Sequence, residues 1–212
     1  MTANSEIFTQ FPTFAIKNRI FLQMIFKKPD FLKSPLEHYR SQLENILQEK
    51  SQVFREKSVK KGLPFVYTLV FPKSEEHPLI SLSYGVSFAN HPDQHNRIEI
   101  YLQINSQDMA WAHVIGYLAN HLRGDCPFNQ GEIIRLGQKI STESELNAFV
   151  VIPADTNLLQ DRIPDARKNS SVQLVELLPI YEHEVFTIQK IGLEEFIKRL
   201  AKEKLNPKRK AI

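Results

Sequence analysis

Three polar residues in one short segment have the types and the spacing of a metal site. His91, Asp93 and His95 lie in the segment N-H-P-D-Q-H-N, between two stretches with strand-like patterns. Two imidazoles and a carboxylate could supply three ligands of a zinc ion, so a metal-dependent hydrolase using this loop is one hypothesis. The alternative is a hairpin turn whose polar side chains face water, and the turn-rich composition of the segment favours it.

Two other groups have the residue types of a catalytic site. Cys126 with His121 could form a nucleophile and its base, but a lone cysteine beside a proline is more often a small buried apolar residue. Glu182, His183 and Glu184 resemble an acid–base cluster, although residues two apart do not face each other on a helix. A solvated helix face is favoured for them, and an acidic patch for a protein partner stays open. We therefore predict no catalytic residue, no metal ligand and no cofactor.

Composition and charge describe an ordinary globular protein with a basic end. The 212 residues fit one large domain or one domain with appendages, and the single cysteine fits a reducing compartment. No apolar run approaches the roughly 20 residues that span a bilayer. Residues 198–212 hold seven Lys or Arg and one Glu, a formal +6, so the preceding 197 residues carry −3 of the total of +3.

The basic end predicts a solvated, frayed tail over residues 202–212. A contact with nucleic acid or a membrane is the alternative. No aromatic residues interleave with these charges, which weakens an interpretation as a single-strand binder.

Residues 1–33 are predicted to form an extension before the main domain. The stretch is rich in phenylalanine but lacks the basic start of a signal peptide. It either packs on the domain as an extra strand or helix, which we favour, or is loosely ordered with Met24 as an alternative start. The resulting division is an extension over 1–33, a domain over 34–201 and a basic tail over 202–212. The phenylalanines of the extension are Phe8, Phe11, Phe14, Phe21, Phe26 and Phe31.

The first half of the domain predicts one helix and three strands. Ser34 followed by Pro35 and an acidic residue at the third helical position indicates a helix start, and the helix is expected to run to about Lys57. Alternating apolar residues then predict an antiparallel meander with one face covered, in which Glu99, Tyr101 and Gln103 lie on the other face. Its three strands are expected over 65–71, 79–88 and 97–104.

The second half predicts further strands and three helices. The apolar stripe from Trp111 to Leu122 predicts a helix across the sheet, capped by Asn105 or Ser106. Strands are expected over 131–136, 147–152 and 172–178, with a long polar loop over 154–171. Pro179 is expected in the first turn of a helix that ends at Gly192, and a last helix follows from Leu193.

Four segments resemble the suppressor-of-fused domain family. I-S-L-S-Y-G-V-S, from Ile80, is similar to a strand of the family, and H-V-I-G-Y-L-A-N-H-L with G-E-I-I-R-L-G is similar to its middle part. V-E-L-L-P-I-Y-E-H-E, from Val175, is the most specific match. The resemblance covers about Leu79 to Leu200. It implies an α+β fold, a mixed and largely antiparallel sheet flanked by helices, that binds other proteins.

The same resemblance implies a partner and candidate binding residues. Animal members hold a transcription-factor peptide, and bacterial members are associated with toxin systems as immunity proteins. This chain is short and lacks the animal protein's second domain, so the bacterial role is expected. In the animal members an aromatic on the middle helix and an acid after the next glycine help to hold the peptide. Tyr117 and Glu132 occupy the matching positions, with Glu where the animal pattern has Asp.

The sequence therefore predicts a non-enzymatic, cytoplasmic protein-binding domain, a bacterial immunity protein that neutralises a cognate toxin by direct binding. The partner is a protein, either the toxin or a peptide of another protein; a small-molecule substrate, a membrane and nucleic acid are not expected. A regulatory adaptor whose basic tail contacts nucleic acid is a further hypothesis. Two candidate partner-binding patches are predicted, of which at least one should be exposed and contact the partner, because aromatic anchors and acidic steering favour association. They consist of Tyr117 with Glu132, and of Tyr181 with Glu182 and Glu184.

Overall fold

The computed structural model describes residues 28–155, 157, 159–165 and 170–212, and it forms two units, Met1–Ser34 and Pro35–Ile212. The described end of the first unit holds a 3-10 turn, Asp30–Leu32, in which the Phe31 side chain is 85% exposed. The other phenylalanines of the predicted extension, and Met24, lie outside the described residues. Whether that extension packs on the domain stays a prediction.

The second unit contains four α-helices and eight strands within its described residues. The helices are α1 Pro35–Leu47, α2 Ala110–Leu122, α3 Glu184–Ile191 and α4 Leu193–Leu200. The strands are β1 Gln52–Glu56, β2 Val66–Phe71, β3 Leu79–Tyr84, β4 Ile98–Ile104, β5 Ile133–Arg135, β6 Ala148–Pro153, β7 Arg162–Asp165 and β8 Ser170–Ile180.

One mixed sheet organises the unit, in the order β1-β2-β3-β4-β8-β6-β5, with β7 also paired to β8. All neighbours are antiparallel except β4 and β8, which run parallel. The predicted meander is confirmed as β2, β3 and β4. The predicted fold class, a largely antiparallel sheet with flanking helices, is also confirmed. Strands β1 and β5 end the sheet on its two sides.

The sheet is covered on both faces. Trp111, Ile115 and Leu118 of α2 pack on one face, and Tyr39 and Leu43 of α1 pack on the other. The expectation that one face of the meander meets water is therefore wrong. Every residue of β4 is buried. The alternation in the sequence shows which residues share a face of the strand, but it does not show what packs against each face.

The buried Glu99 on β4 organises the chain after β3. Its carboxylate accepts hydrogen bonds from the hydroxyls of Ser83 (2.6 Å) and Ser87 (2.6 Å). It also accepts them from the backbone N–H groups of Gly85 (2.9 Å), Val86 (3.1 Å) and Ser87 (3.2 Å). These bonds satisfy the carboxylate without water and close the turn that follows the strand.

The first helix is shorter than predicted, because a side chain closes its end. The helix ends at Leu47, Gln48 has a φ of +53°, and the chain continues as β1 rather than as helix to about Lys57. The Glu44 carboxylate accepts bonds from the Ser51 N–H (3.1 Å) and the Lys50 Nζ (2.7 Å), which turns the chain back toward the helix.

Pro179 lies in a strand and not in a helix, so that prediction is wrong. It pairs with Phe149 of β6, and the following helix begins only at Glu184. The pairing between β8 and β4 spans Gln173–Glu176 on β8, so Pro179 lies beyond it and its missing N–H costs no bond there. The predicted loop over 154–171 also contains strand β7.

The described C-terminal segment is packed on the domain, so the expected frayed tail is wrong. The Leu205 carbonyl accepts a bond from the Asn105 N–H (2.8 Å), and Arg209 is 2% exposed. Lys204 donates to Glu176, which is 1% exposed (2.9 Å). Burial raises the pKa of Glu176, and Lys204 opposes that rise. Lys204 of this segment therefore pairs with a carboxylate that the fold buries.

Candidate protein-binding surface

The histidine and aspartate loop does not assemble a metal site. The His91 Nδ1 lies 3.9 Å from the Asp93 Oδ2 and accepts the Asp93 backbone N–H at 3.1 Å, as in a polar turn. Among the described residues, which include all three candidates, no group of three or more His, Cys, Asp or Glu could hold a metal ion. The hypothesis of a metal-dependent hydrolase at this loop has no geometric support.

Cys126 and His121 do not form a nucleophile and base. The His121 ring stacks on Tyr117 at 4.1 Å between centroids, and its Nδ1 lies 2.9 Å from the Tyr117 carbonyl oxygen. Cys126 is partly buried against the core under α2, and this burial raises the pKa of its thiol. A thiol whose pKa is raised is a poor nucleophile, which agrees with a packing role.

Glu184 lies in the interior, so it cannot be part of an exposed patch. The Arg209 guanidinium binds both of its carboxylate oxygens, at 2.7 and 2.6 Å, and both side chains are 0% exposed. The N–H groups of Tyr181 (2.9 Å) and Ile212 (2.9 Å) complete its hydrogen bonds. The expectation that Glu184 faces a partner is therefore corrected, because a residue 25 positions later neutralises it.

Tyr181 is half-buried by the same segment. Its hydroxyl donates to the Arg209 carbonyl at 2.6 Å, and the Arg209 guanidinium lies 5.2 Å from its ring centroid. Both the hydroxyl and the ring of Tyr181 therefore contact Arg209 within the fold. A role for Tyr181 in binding a partner stays a prediction.

The other two predicted acids lie at one edge of the sheet. Glu132 is exposed and directly precedes the terminal strand β5, and its carbonyl accepts the Val151 N–H at 2.9 Å. Glu182 is 45% exposed and pairs with Arg135, the last residue of β5, at 3.3 Å. Glu132 and Glu182 thus lie near opposite ends of the short strand β5.

A residue that sequence reasoning missed completes this surface. Phe186 on α3 is 76% exposed. It borders an open cavity of about 480 Å³ that is also lined by Arg135 and Glu182. We call Arg135, Glu182 and Phe186 the β5-edge surface. The sequence did indicate Phe186, because this phenylalanine stands one position after Val185 and so lies off the apolar stripe of the helix.

Tyr117 belongs to a different part of the domain. Its side chain is 52% exposed on α2, which packs over β2, β3 and β4. In the same helix, the Asn120 amide donates to the Lys57 carbonyl at 2.9 Å, just after β1. Within the described part of the chain no recorded contact joins Tyr117 to Glu132. Their predicted roles in binding one partner stay predictions.

Comparison with known proteins identifies the family. The model of the family Suppressor of fused protein (SUFU) matches residues 65–209, which is more than half of the chain. The chain belongs to the suppressor-of-fused family. This confirms the resemblance seen in the sequence, and it makes the chain a member of a protein-binding, non-enzymatic family. No curated protein matches it.

Solved structures of suppressor-of-fused proteins share the fold. One is a protein from Neisseria gonorrhoeae FA 1090 described as a suppressor-of-fused homologue: TM-score 0.57, 16% identity, covering 82% of this chain and 94% of that one. Another is a Sufu–Fu complex, with a TM-score of 0.53 and 12% identity over 81% of this chain and 88% of that one. At these levels of sequence identity, the similarity shows a shared fold.

No helix among the described residues is both long and apolar enough to cross a membrane.

Proposed function

We propose that this chain is a bacterial immunity protein that acts in the cytoplasm and neutralises a cognate toxin by binding it at the β5-edge surface. The observation that carries the proposal is Phe186, a large aromatic side chain 76% exposed between charged residues, in a member of a protein-binding family. The lone Cys126 favours a reducing compartment.

The chemistry of the surface suits a protein partner. Interfaces favour an aromatic anchor at the centre with a polar rim around it. Phe186 is such an anchor, and Arg135 with Glu182 supplies the rim beside it. The whole chain carries a formal +3, and Glu132 is an exposed acid at the same edge of the sheet. Steering toward the basic cleft of a toxin that acts on nucleic acid would therefore come from local acids such as Glu132 and Glu182, and not from the net charge.

Co-expression with a candidate toxin gene from the neighbourhood of this gene tests the proposal. Cells that carry the toxin alone should die, and cells that also carry this protein should survive. In a binding assay with purified proteins, Phe186→Ala should weaken binding by about 2 kcal/mol, close to thirtyfold in Kd. Phe31→Ala, which removes another highly exposed phenylalanine, is the matched control and should bind as wild type.

Two results would contradict different parts of the proposal. If the toxin kills equally with and without this protein, the immunity role is wrong. If the protein protects but Phe186→Ala binds as tightly as wild type, the role holds and the β5-edge surface is the wrong site.

A further inference from the structure

The terminal strand at the other end of the sheet leads into a strongly basic loop. Strand β1 is followed by the segment K-S-V-K-K-G-L-P-F, from Lys57 to Phe65. Residues 52–65 contain four basic side chains and one acid, a formal +3, whereas residues 1–197 together carry −3. We call Arg55, Lys57, Lys60, Lys61 and Phe65 the β1-edge cleft.

The cleft is an open cavity whose cations are largely unneutralised. Residues 57–58 and 60–65 line a cavity of about 330 Å³, with Phe65 40% exposed on its wall. Lys60 pairs with Asp125, whereas Lys57 and Lys61 are exposed and have no ion pair within the described part of the chain. The Arg55 guanidinium lies 4.6 Å from the Phe65 ring centroid, a cation–π contact that leaves its N–H groups available.

The one acid of this segment is turned away from the cleft. A Glu56 carboxylate oxygen lies 3.5 Å from the Asn120 amide nitrogen, and a Cβ placed on Gly116 would be 2.8 Å from its other oxygen. Glu56 is therefore held under α2. It does not neutralise the lysines of the loop, so the positive field of the cleft faces solvent.

Strand β1 also offers backbone groups to a partner. It pairs with β2 on one side, and residues 52–56 make no other backbone hydrogen bond with the described part of the chain. In an antiparallel edge strand, alternate residues direct their N–H and C=O groups to the open side, where another strand can pair. Val53, 37% exposed, adds an apolar side chain on this edge.

We propose that the β1-edge cleft binds an extended acidic segment of a partner protein, which adds to β1 as a further strand. Backbone pairing would give affinity, and carboxylates beside Arg55, Lys57 and Lys61 would give specificity. Nucleic acid fits less well, because Arg55 already occupies one face of Phe65, the aromatic ring of the cleft. The cleft and the β5-edge surface lie at opposite ends of the strand order, roughly 29 Å apart along the sheet at about 4.8 Å per strand.

A random octapeptide library displayed on phage, selected against the full chain, tests the proposal. Selected peptides should be enriched in Asp and Glu and should bind as synthetic fluorescent peptides with a Kd that rises with salt. Lys57→Glu with Lys61→Glu should weaken that binding at least about tenfold. Lys73→Glu with Lys190→Glu changes the same charge at exposed lysines elsewhere and should bind as wild type.

Strand addition has its own readout. Methylation of alternate backbone nitrogens of the selected peptide should abolish binding in one register and spare it in the other, since only one edge of the peptide would pair with β1.

Four outcomes would overturn the proposal: selected peptides without acidic enrichment, equal binding by both double variants, equal binding by both methylation registers, or an oligothymidylate that binds the cleft more tightly than the peptides do.

The proposed function and this inference fail separately. Phe186→Ala tests the first and should not change binding of the acidic peptides.

Discussion

Arg209→Leu is expected to lower the free energy of unfolding by about 3–5 kcal/mol, because it leaves the Glu184 carboxylate buried without its cation. The guanidinium makes two bonds to that carboxylate, at 2.7 and 2.6 Å, and a third to the Pro179 carbonyl at 3.3 Å. The fold holds both side chains at 0% exposure, so water cannot replace these bonds without local opening.

The double variant Glu184→Leu with Arg209→Leu should be more stable than Arg209→Leu alone. Removing both charges removes the desolvation cost together with the attraction, and such replacements are often close to neutral. A cost of about 1–2 kcal/mol should persist, because the N–H groups of Tyr181 and Ile212 lose their acceptor. The singles and the double thus form a cycle with a large coupling energy.

Urea unfolding followed by the fluorescence of Trp111 measures these differences. Trp111 is the single tryptophan, it is fully buried, and its indole N–H donates to Glu143 at 3.1 Å. With a slope of about 2 kcal/mol per molar urea, Arg209→Leu should move the midpoint by roughly 1.5–2.5 M. Lys210→Leu, at the exposed next position, should change stability by less than about 0.5 kcal/mol.

The reasoning is refuted if Arg209→Leu costs under about 1 kcal/mol, which is the result that a frayed basic tail would give. It is also refuted if the double variant is as unstable as the sum of its two singles, because a buried pair requires coupling between them.

Two further carboxylates give stability predictions by the same urea assay. Glu99→Gln should destabilise the fold by about 2–4 kcal/mol, because an amide cannot accept five hydrogen bonds and its NH2 group would face donors. Burial opposes ionisation of Glu44, but hydrogen bonds from Lys50, Arg40 and Ser51 lower its pKa to about 2. Its contribution to stability should therefore be complete above about pH 4.5 and be lost as the pH falls toward 2, and Glu44→Gln should remove that part of the pH dependence.

Each of these variants has a clear contrary outcome. Glu75→Gln, at an exposed acid, is the control for charge and should keep the stability and pH profile of wild type. Glu99→Gln with unchanged stability would mean that the carboxylate does not hold the turn after β3. A Glu44→Gln variant that loses as much stability between pH 4.5 and 2 as wild type would show that other carboxylates carry the acid sensitivity.

The local elements and the family were determined by the sequence alone. Alternation over 98–104 and the apolar stripe of α2 are short-range periodic patterns, and a strand or helix satisfies them without reference to distant residues. The segment V-E-L-L-P-I-Y-E-H-E and the three other quoted segments indicated the family in the same way, because they are runs of apolar residues and turns with a characteristic order. The meander of β2, β3 and β4 and the helices α2 and α4 were predicted on this basis.

Only the tertiary structure decided which polar residues are inside. Glu184 looked like a solvated acid because its partner, Arg209, is 25 positions away and itself looked like part of a frayed tail. Pro179 was predicted at the start of a helix. Its place in a strand depends on where the pairing between β8 and β4 ends, and the local sequence does not show that. Phe186 became a candidate anchor only once its helix was seen to leave it exposed. Periodicity assigns residues to a face, whereas burial depends on what long-range contacts bring against that face.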